Sequence, residues 1–138
     1  MKTNFPILLV EDDQVDAMTV SRALKDIKAT HPLIHKINGL EALNFLKSNA
    51  TQLPGIILLD LNMLKMNGIE FLEHVKSDTE LKRIPVVVLT TSNEHRDKVE
   101  SFNLGVAGYM LKPVGYQEFL TVMYEINTYW SKSELVNI

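Results

Sequence analysis

Glu11, Asp12 and Asp13 close the apolar run of PILLV, with Asp16 just behind and no cation among them. Two unit charges about 4 Å apart, in an effective dielectric of about 20, repel by roughly 4 kcal/mol, so such a cluster calls for protonation or for a bound cation. Three further polar residues stand directly after apolar stretches. Asp60 ends GIILLD, Thr90 ends PVVVLT and Lys112 ends AGYMLK. Carboxylate oxygens with no His or Cys beside them are hard ligands, suited to Mg2+ or Mn2+ rather than zinc. Mg2+ keeps several waters and completes its octahedron with phosphate oxygens. With Asp60 as nucleophile, Glu11 and Asp12 as cation ligands, Lys112 as a fixed positive charge and Thr90 as a hydroxyl donor, the set is what an in-line phosphoryl transfer onto a carboxylate needs.

These residues work only if the fold brings them together. Ile7–Val10, Gly55–Leu59 and Pro85–Leu89 are short apolar runs, and Leu33–Ile37 and Ala107–Leu111 are weaker ones. Continuous β-branched runs bounded by turn residues fit strands buried on both faces, as in a parallel sheet. Between them run helical stripes: Val20, Leu24 and Ile27; Ala42, Leu43 and Leu46; Ile69, Leu72 and Val75; Phe119, Met123, Ile126 and Trp130. The more polar Glu94–Leu104 reads as a helix with Val99 and Phe102 inward. Strand and helix alternate, which predicts a doubly wound α/β sheet of five parallel strands and five helices. In such sheets the functional crevice lies beyond the carboxyl ends of the strands, where Glu11, Asp12, Asp60, Thr90 and Lys112 all fall.

The chain has 138 residues, 46% of them hydrophobic and 22% charged, which suits one soluble domain with a full core. A net charge of −3 gives no electrostatic footprint for direct nucleic-acid binding. The absence of cysteine excludes disulfides, thiolate metal sites and cysteine nucleophiles. The apolar N-terminal stretch is too short, and too soon acidic, for a signal peptide or a membrane span, so a cytoplasmic protein is expected.

LLVEDD, ILLDLNMLKMNG, PVVVLTTS and GYMLKPV, in that order and spacing, resemble the receiver domain of two-component response regulators. The resemblance covers residues 5–130 and leaves 131–138 as a short tail. It implies a flavodoxin-like sheet of order 2-1-3-4-5 and a Mg2+-dependent phosphoacceptor at Asp60, with Mn2+ able to substitute. It also implies metal ligation by Glu11, Asp12, Asp60 and the backbone carbonyl of Asn62, phosphate contacts from Thr90 and Lys112, and a switch pair of Thr90 and Tyr109. The Lys112–Pro113 bond corresponds to one that is cis in the family. The implied partners are a sensor histidine kinase or a histidine phosphotransfer protein, with the helix 4/strand 5/helix 5 face as a surface for a homodimer or target. The ending YEINTYW, with LKRIPVVVLTTS, is similar to regulators that partner phytochrome-type kinases. Leu64 stands where many receivers have proline, which predicts a less stiff loop.

Each residue also has an ordinary reading. Acids gather at helix N-termini against the dipole, and Asp13 fits an N-cap with Asp16 on an exposed first turn. Asp60 alone reads as a turn residue, TTS as a capping run, Lys112 as a solvated loop lysine and Tyr109 as a core-edge tyrosine. His31, His35, His74 and His95 lack metal-ligand spacing and read as surface or structural. Two other functions fit parts of the pattern. A haloacid-dehalogenase-type phosphotransferase shares the strand-end aspartate and Mg2+, but needs an acid where this chain has Asn62. A flavodoxin-like cofactor binder needs a Ser/Thr/Gly phosphate loop where this chain has Glu-Asp-Asp. A receiver used purely as a phosphorylation-independent docking module is a further reading, weighed down by the intact acidic set.

Overall fold

The computed structural model describes residues 5–48 and 52–133. Five parallel strands, β1 (Ile7–Val10), β2 (Leu33–Lys36), β3 (Ile56–Leu59), β4 (Val86–Thr90) and β5 (Gly108–Leu111), form one sheet in the order β2-β1-β3-β4-β5. The helices are α1 (Gln14–Asp26), α2 (Gly39–Ser48), α3 (Gly68–Ser77), α4 (His95–Asn103) and α5 (Tyr116–Lys132), with a short 3-10 turn at Leu81–Arg83. This is the doubly wound architecture expected from the alternation of strand and helix, in the strand order that the family resemblance implies.

Strand alternation sorts the core into two layers. Leu8, Val10, Ile57, Leu59, Val86 and Val88 face α2 and α3, while Ile7, Leu9, Ile56, Leu58 and Leu89 face α1 and α5. β1 and β3 are buried at every position, whereas β2 and β5, the two edges, are mostly half-buried. An edge strand loses one neighbour and part of its cover, which explains the weaker apolar signal of those two stretches.

Local chemistry starts the helices where the sequence changes character. The Asp13 carboxylate accepts from the N–H groups of Val15 and Asp16 at 2.8 and 3.0 Å, capping α1. Asn67 and Glu70 cap one another's backbone at the start of α3. Gly68 opens that helix hard against the end of β3: a Cβ there would stand 2.6 Å from Leu61 Cα and 2.7 Å from the Asp60 carbonyl oxygen. At the other end of the sheet, Trp130 donates its indole N–H to the Gly55 carbonyl at 2.9 Å and is almost fully buried.

One expectation changes. Val99 and Phe102 of α4 point outward, 43% and 55% exposed, and the buried residue of that helix is Ser101. Tyr124 and Tyr129 lie on the exposed side of α5. α5 runs to Lys132, and the part of the expected tail beyond Ser133 lies outside the described residues.

Candidate phosphoryl-acceptor site

The β1–β3 register pairs Val10 with Leu59, so Glu11 and Asp60 leave their strands side by side. Each of Glu11, Asp12 and Asp60 offers a carboxylate oxygen within 4.8 Å of the others. Glu11 and Asp60 are buried, and Asp12 is exposed at the mouth. Thr90, fully buried at the end of β4, donates its hydroxyl to Asp60 Oδ1 at 2.8 Å, and the Asn62 N–H reaches the same oxygen at 3.4 Å.

Lys112 enters from beyond β5. Its Nζ lies 2.5 Å from Glu11 Oε1, 3.1 Å from Asp16 Oδ2 and 4.0 Å from Asp60 Oδ2. Burial pushes the Glu11 carboxyl up to about 7, and the hydrogen bond and charge of Lys112 offset this only in part. Burial pulls the Lys112 ammonium down, but Glu11, Asp60 and Asp16 outweigh it and leave it above its ordinary value. One cation thus faces three carboxylates, and a second cation would relieve the excess of negative charge. The donor set, all hard oxygens, fits Mg2+ or Mn2+.

The structure therefore brings together Glu11, Asp12, Asp60, Thr90 and Lys112, with Asn62 at the rim. Tyr109 stands apart from the carboxylates. Its hydroxyl donates to the Ser92 carbonyl at 2.9 Å, the Ser92 N–H lies 3.3 Å from Thr90 Oγ1, and Ser92 Oγ donates to Asp97 of α4 at 2.5 Å. Ser92 thus connects Thr90, Tyr109 and α4. Asp16, expected to be a solvated first-turn acid, is instead a Lys112 partner. The Asp16 role has no signature in spacing, because its contact with Lys112 joins elements far apart in sequence.

The loop after β3 makes its own contact with the site. Lys65 and Met66 both adopt positive φ, 46° and 63°, and the Leu64 N–H lies 3.4 Å from Asp12 Oδ2. Proline at that position has no N–H to give, so leucine adds a tether to Asp12. No cis peptide bond occurs among the described residues, so the Lys112–Pro113 bond is trans, against the expectation drawn from the family. Trans is the intrinsically favoured isomer of an X–Pro bond by about 0.5–1 kcal/mol, and the loop here adopts it.

Residues 7–124 match the response regulator receiver domain family. The chain belongs to that family. Response regulator Rcp1 of Synechocystis sp. is 39% identical over 128 residues, covering 90% of this chain and 87% of Rcp1. Among solved structures, the phosphorylated cyanobacterial phytochrome response regulator RcpA superposes with a TM-score of 0.90 at 35% identity, over 97% of this chain and 99% of RcpA. The Mn2+-bound form of Rcp1 gives 0.87 at 37% identity, over 96% and 99%. Receiver domains bind divalent metal and serve two-component signalling alongside histidine kinases and phosphotransfer proteins, rather than acting as conventional enzymes. Among the described residues of this receiver, no helix is long and apolar enough to cross a membrane.

Proposed function

We propose that this receiver accepts a phosphoryl group on Asp60 from the phosphohistidine of a sensor kinase of phytochrome type, or of a phosphotransfer protein, and that acceptance changes a protein-binding surface. The observation that carries this reading is the convergence on the Asp60 carboxylate of a hydroxyl donor (Thr90), a buried cation (Lys112) and two further acids (Glu11, Asp12).

An Asp60 carboxylate oxygen attacks phosphorus. The new O–P bond forms as the P–N bond breaks, and the electron pair leaves with the imidazole, which takes up a proton. Mg2+ held by Glu11, Asp12, Asp60 and the Asn62 backbone carbonyl would neutralise charge on the phosphoryl oxygens. Lys112, already 4.0 Å from Asp60 Oδ2, needs only a short movement to contact a phosphoryl oxygen, and Thr90 already donates toward the acceptor. Hydrolysis returns Asp60 when water attacks phosphorus and the acyl-phosphate O–P bond breaks.

Because Thr90 Oγ1 answers to both Asp60 and Ser92, a change of partner at Asp60 reaches Tyr109 and α4 through Ser92. The surface so affected carries the exposed Val99, Phe102 and Leu111, which suits a second copy or a target protein. Intact mass after incubation with acetyl phosphate tests the acceptor. Wild type should gain one phosphoryl group in Mg2+ and none in chelator, and Asp60→Ala should gain none. A gain that survives Asp60→Ala would assign a different nucleophile.

A further inference from the structure

Glu11 uses both of its backbone groups at the end of β1. Its N–H donates to the Lys36 carbonyl at 3.0 Å, and its carbonyl lies 2.7 Å from Nε2 of His35. A carbonyl can only accept, so Nε2 carries the proton and donates. The β1–β2 register sets Leu9 opposite His35 and Val10 opposite Lys36. Continued past Lys36, the parallel ladder would bring the Asn38 N–H to the Glu11 carbonyl. The strand stops first. Asn38 turns to start α2, its side chain accepting from the Glu41 N–H at 2.8 Å. The imidazole of His35 takes the place of the missing ladder donor.

That carbonyl belongs to the peptide joining Glu11 to Asp12. Backbone dihedrals on either side of a rigid peptide plane are its soft coordinates, so rotation of this plane is an easy way for two adjacent carboxylates to swing apart. The charges favour such a movement, since Glu11, Asp12 and Asp60 crowd within 4.8 Å. A side-chain donor fixed on the neighbouring strand opposes it.

We propose that His35 is a positioning residue for the divalent-cation site: by clamping the Glu11–Asp12 peptide, its Nε2–H keeps the two carboxylates convergent before the cation arrives. His35 is not itself a ligand. The inference rests on the reading of Glu11, Asp12 and Asp60 as a cation site, which Asp12→Ala tests independently.

The experiment measures the Kd of Mn2+ alone, from the free-ion electron paramagnetic resonance signal, and of Mg2+ by calorimetry. It uses the unphosphorylated wild type, His35→Leu, His35→Gln and Asp12→Ala, with urea midpoints recorded in parallel. Outer residues that orient metal ligands are worth about 10–100-fold in affinity, and a single bond to a ligand's backbone belongs at the low end, so His35→Leu should raise Kd about 10-fold. His35→Gln places an amide N–H near the reach of Nε2 and should recover affinity to within about 3-fold of wild type, since the donor is retained. His35→Val, which suits a strand, gives the donor-free comparison if the leucine variant does not fold. Wild-type Kd in the leucine or valine variant, with or without lost stability, would overturn the proposal. So would a glutamine variant as weak as leucine, which would assign the effect to imidazole packing. Failure of wild type to bind either ion would overturn the site reading and this inference together, whereas binding that is lost in Asp12→Ala but unchanged in His35→Leu would overturn the inference alone.

Discussion

Gly68→Ala should disturb the acceptor without replacing a polar residue. The added Cβ would meet Leu61 Cα at 2.6 Å, the Asp60 carbonyl oxygen at 2.7 Å and Leu61 Cδ2 at 2.8 Å, against ordinary contact from 3.4 Å. The structure must yield by about 0.8 Å at the worst contact, and two of the three atoms are backbone, which cannot rotate away. Overpacking of this kind costs about 1–3 kcal/mol, and the backbone collision places this case at about 3. The better helix propensity of alanine returns up to about 1 kcal/mol, leaving a net loss of about 2 kcal/mol. The segment that yields carries Asp60. A misplacement of about 1 Å at a reacting group costs on the order of 100-fold in rate, so a shift of several tenths of an ångström should slow phosphoryl uptake about 10-fold. Urea unfolding with an unchanged m value reads the first quantity, and the time course of mass gain from acetyl phosphate at saturating Mg2+ reads the second. Gly108→Ala is the control, because its Cβ would meet Val87 at no less than 3.9 Å. A Gly68→Ala protein as stable as wild type, or one that loses stability yet takes up phosphate at the wild-type rate, would refute the argument that this contact sets the position of Asp60.

The raised Glu11 carboxyl makes a prediction about pH. An acid held at about 7 when folded and at 4.5 otherwise binds its proton more tightly in the folded state, so its contribution to stability is complete below 4.5 and is lost as pH rises through about 7. In chelator, urea unfolding of wild type should lose about 2–3 kcal/mol more than Glu11→Gln between about pH 5 and about pH 8; parallel profiles would show that burial does not hold the proton. Thr90→Ala removes a buried donor from Asp60 and should cost about 1 kcal/mol. Its phosphoryl uptake should survive, while the amide resonance shifts of α4 and β5 on phosphorylation should shrink and Thr90→Ser should restore them. Shifts of wild-type size in Thr90→Ala would sink the Thr90–Ser92–Tyr109 connection.

Much of this was legible in the sequence, for identifiable reasons. β1, β3 and β4 announce themselves because burial on both faces demands uninterrupted apolar residues, and their end points locate Glu11, Asp60 and Thr90. α4 misleads because its two large apolar residues face solvent. The reasoning that apolar means inward runs in one direction only, since a folded surface is itself largely apolar. Ser101 takes the buried place on that helix, and no pattern in HRDKVESFN marks it. His35 and Asp16 are silent for another reason. Their contacts are to a backbone carbonyl or to a residue on a distant element, and type and spacing carry no information about either. The Lys112–Pro113 isomer is silent too, because both forms of an X–Pro bond are accessible to the same residues.

What the sequence could not show is how the sheet divides the labour. Glu11 continues the alternation of Ile7 and Leu9, Asp60 that of Ile56 and Leu58, and Lys112 follows Met110, so all three belong to the layer packed by α1 and α5. Thr90 continues Val86 and Val88, and it shares with Tyr109 the layer packed by α2 and α3. A register slip of one residue in any strand would move its end residue to the opposite layer and dissolve the arrangement, so the apolar cores on both faces hold the chemistry in place as well as the fold. Thr90 crosses this division: rooted on one side, it hydrogen-bonds the acceptor on the other at 2.8 Å. On the proposed phosphorylation of Asp60, the added charge would act first on Thr90, whose other side-chain hydrogen bond is from the Ser92 N–H that leads on to Tyr109 and α4.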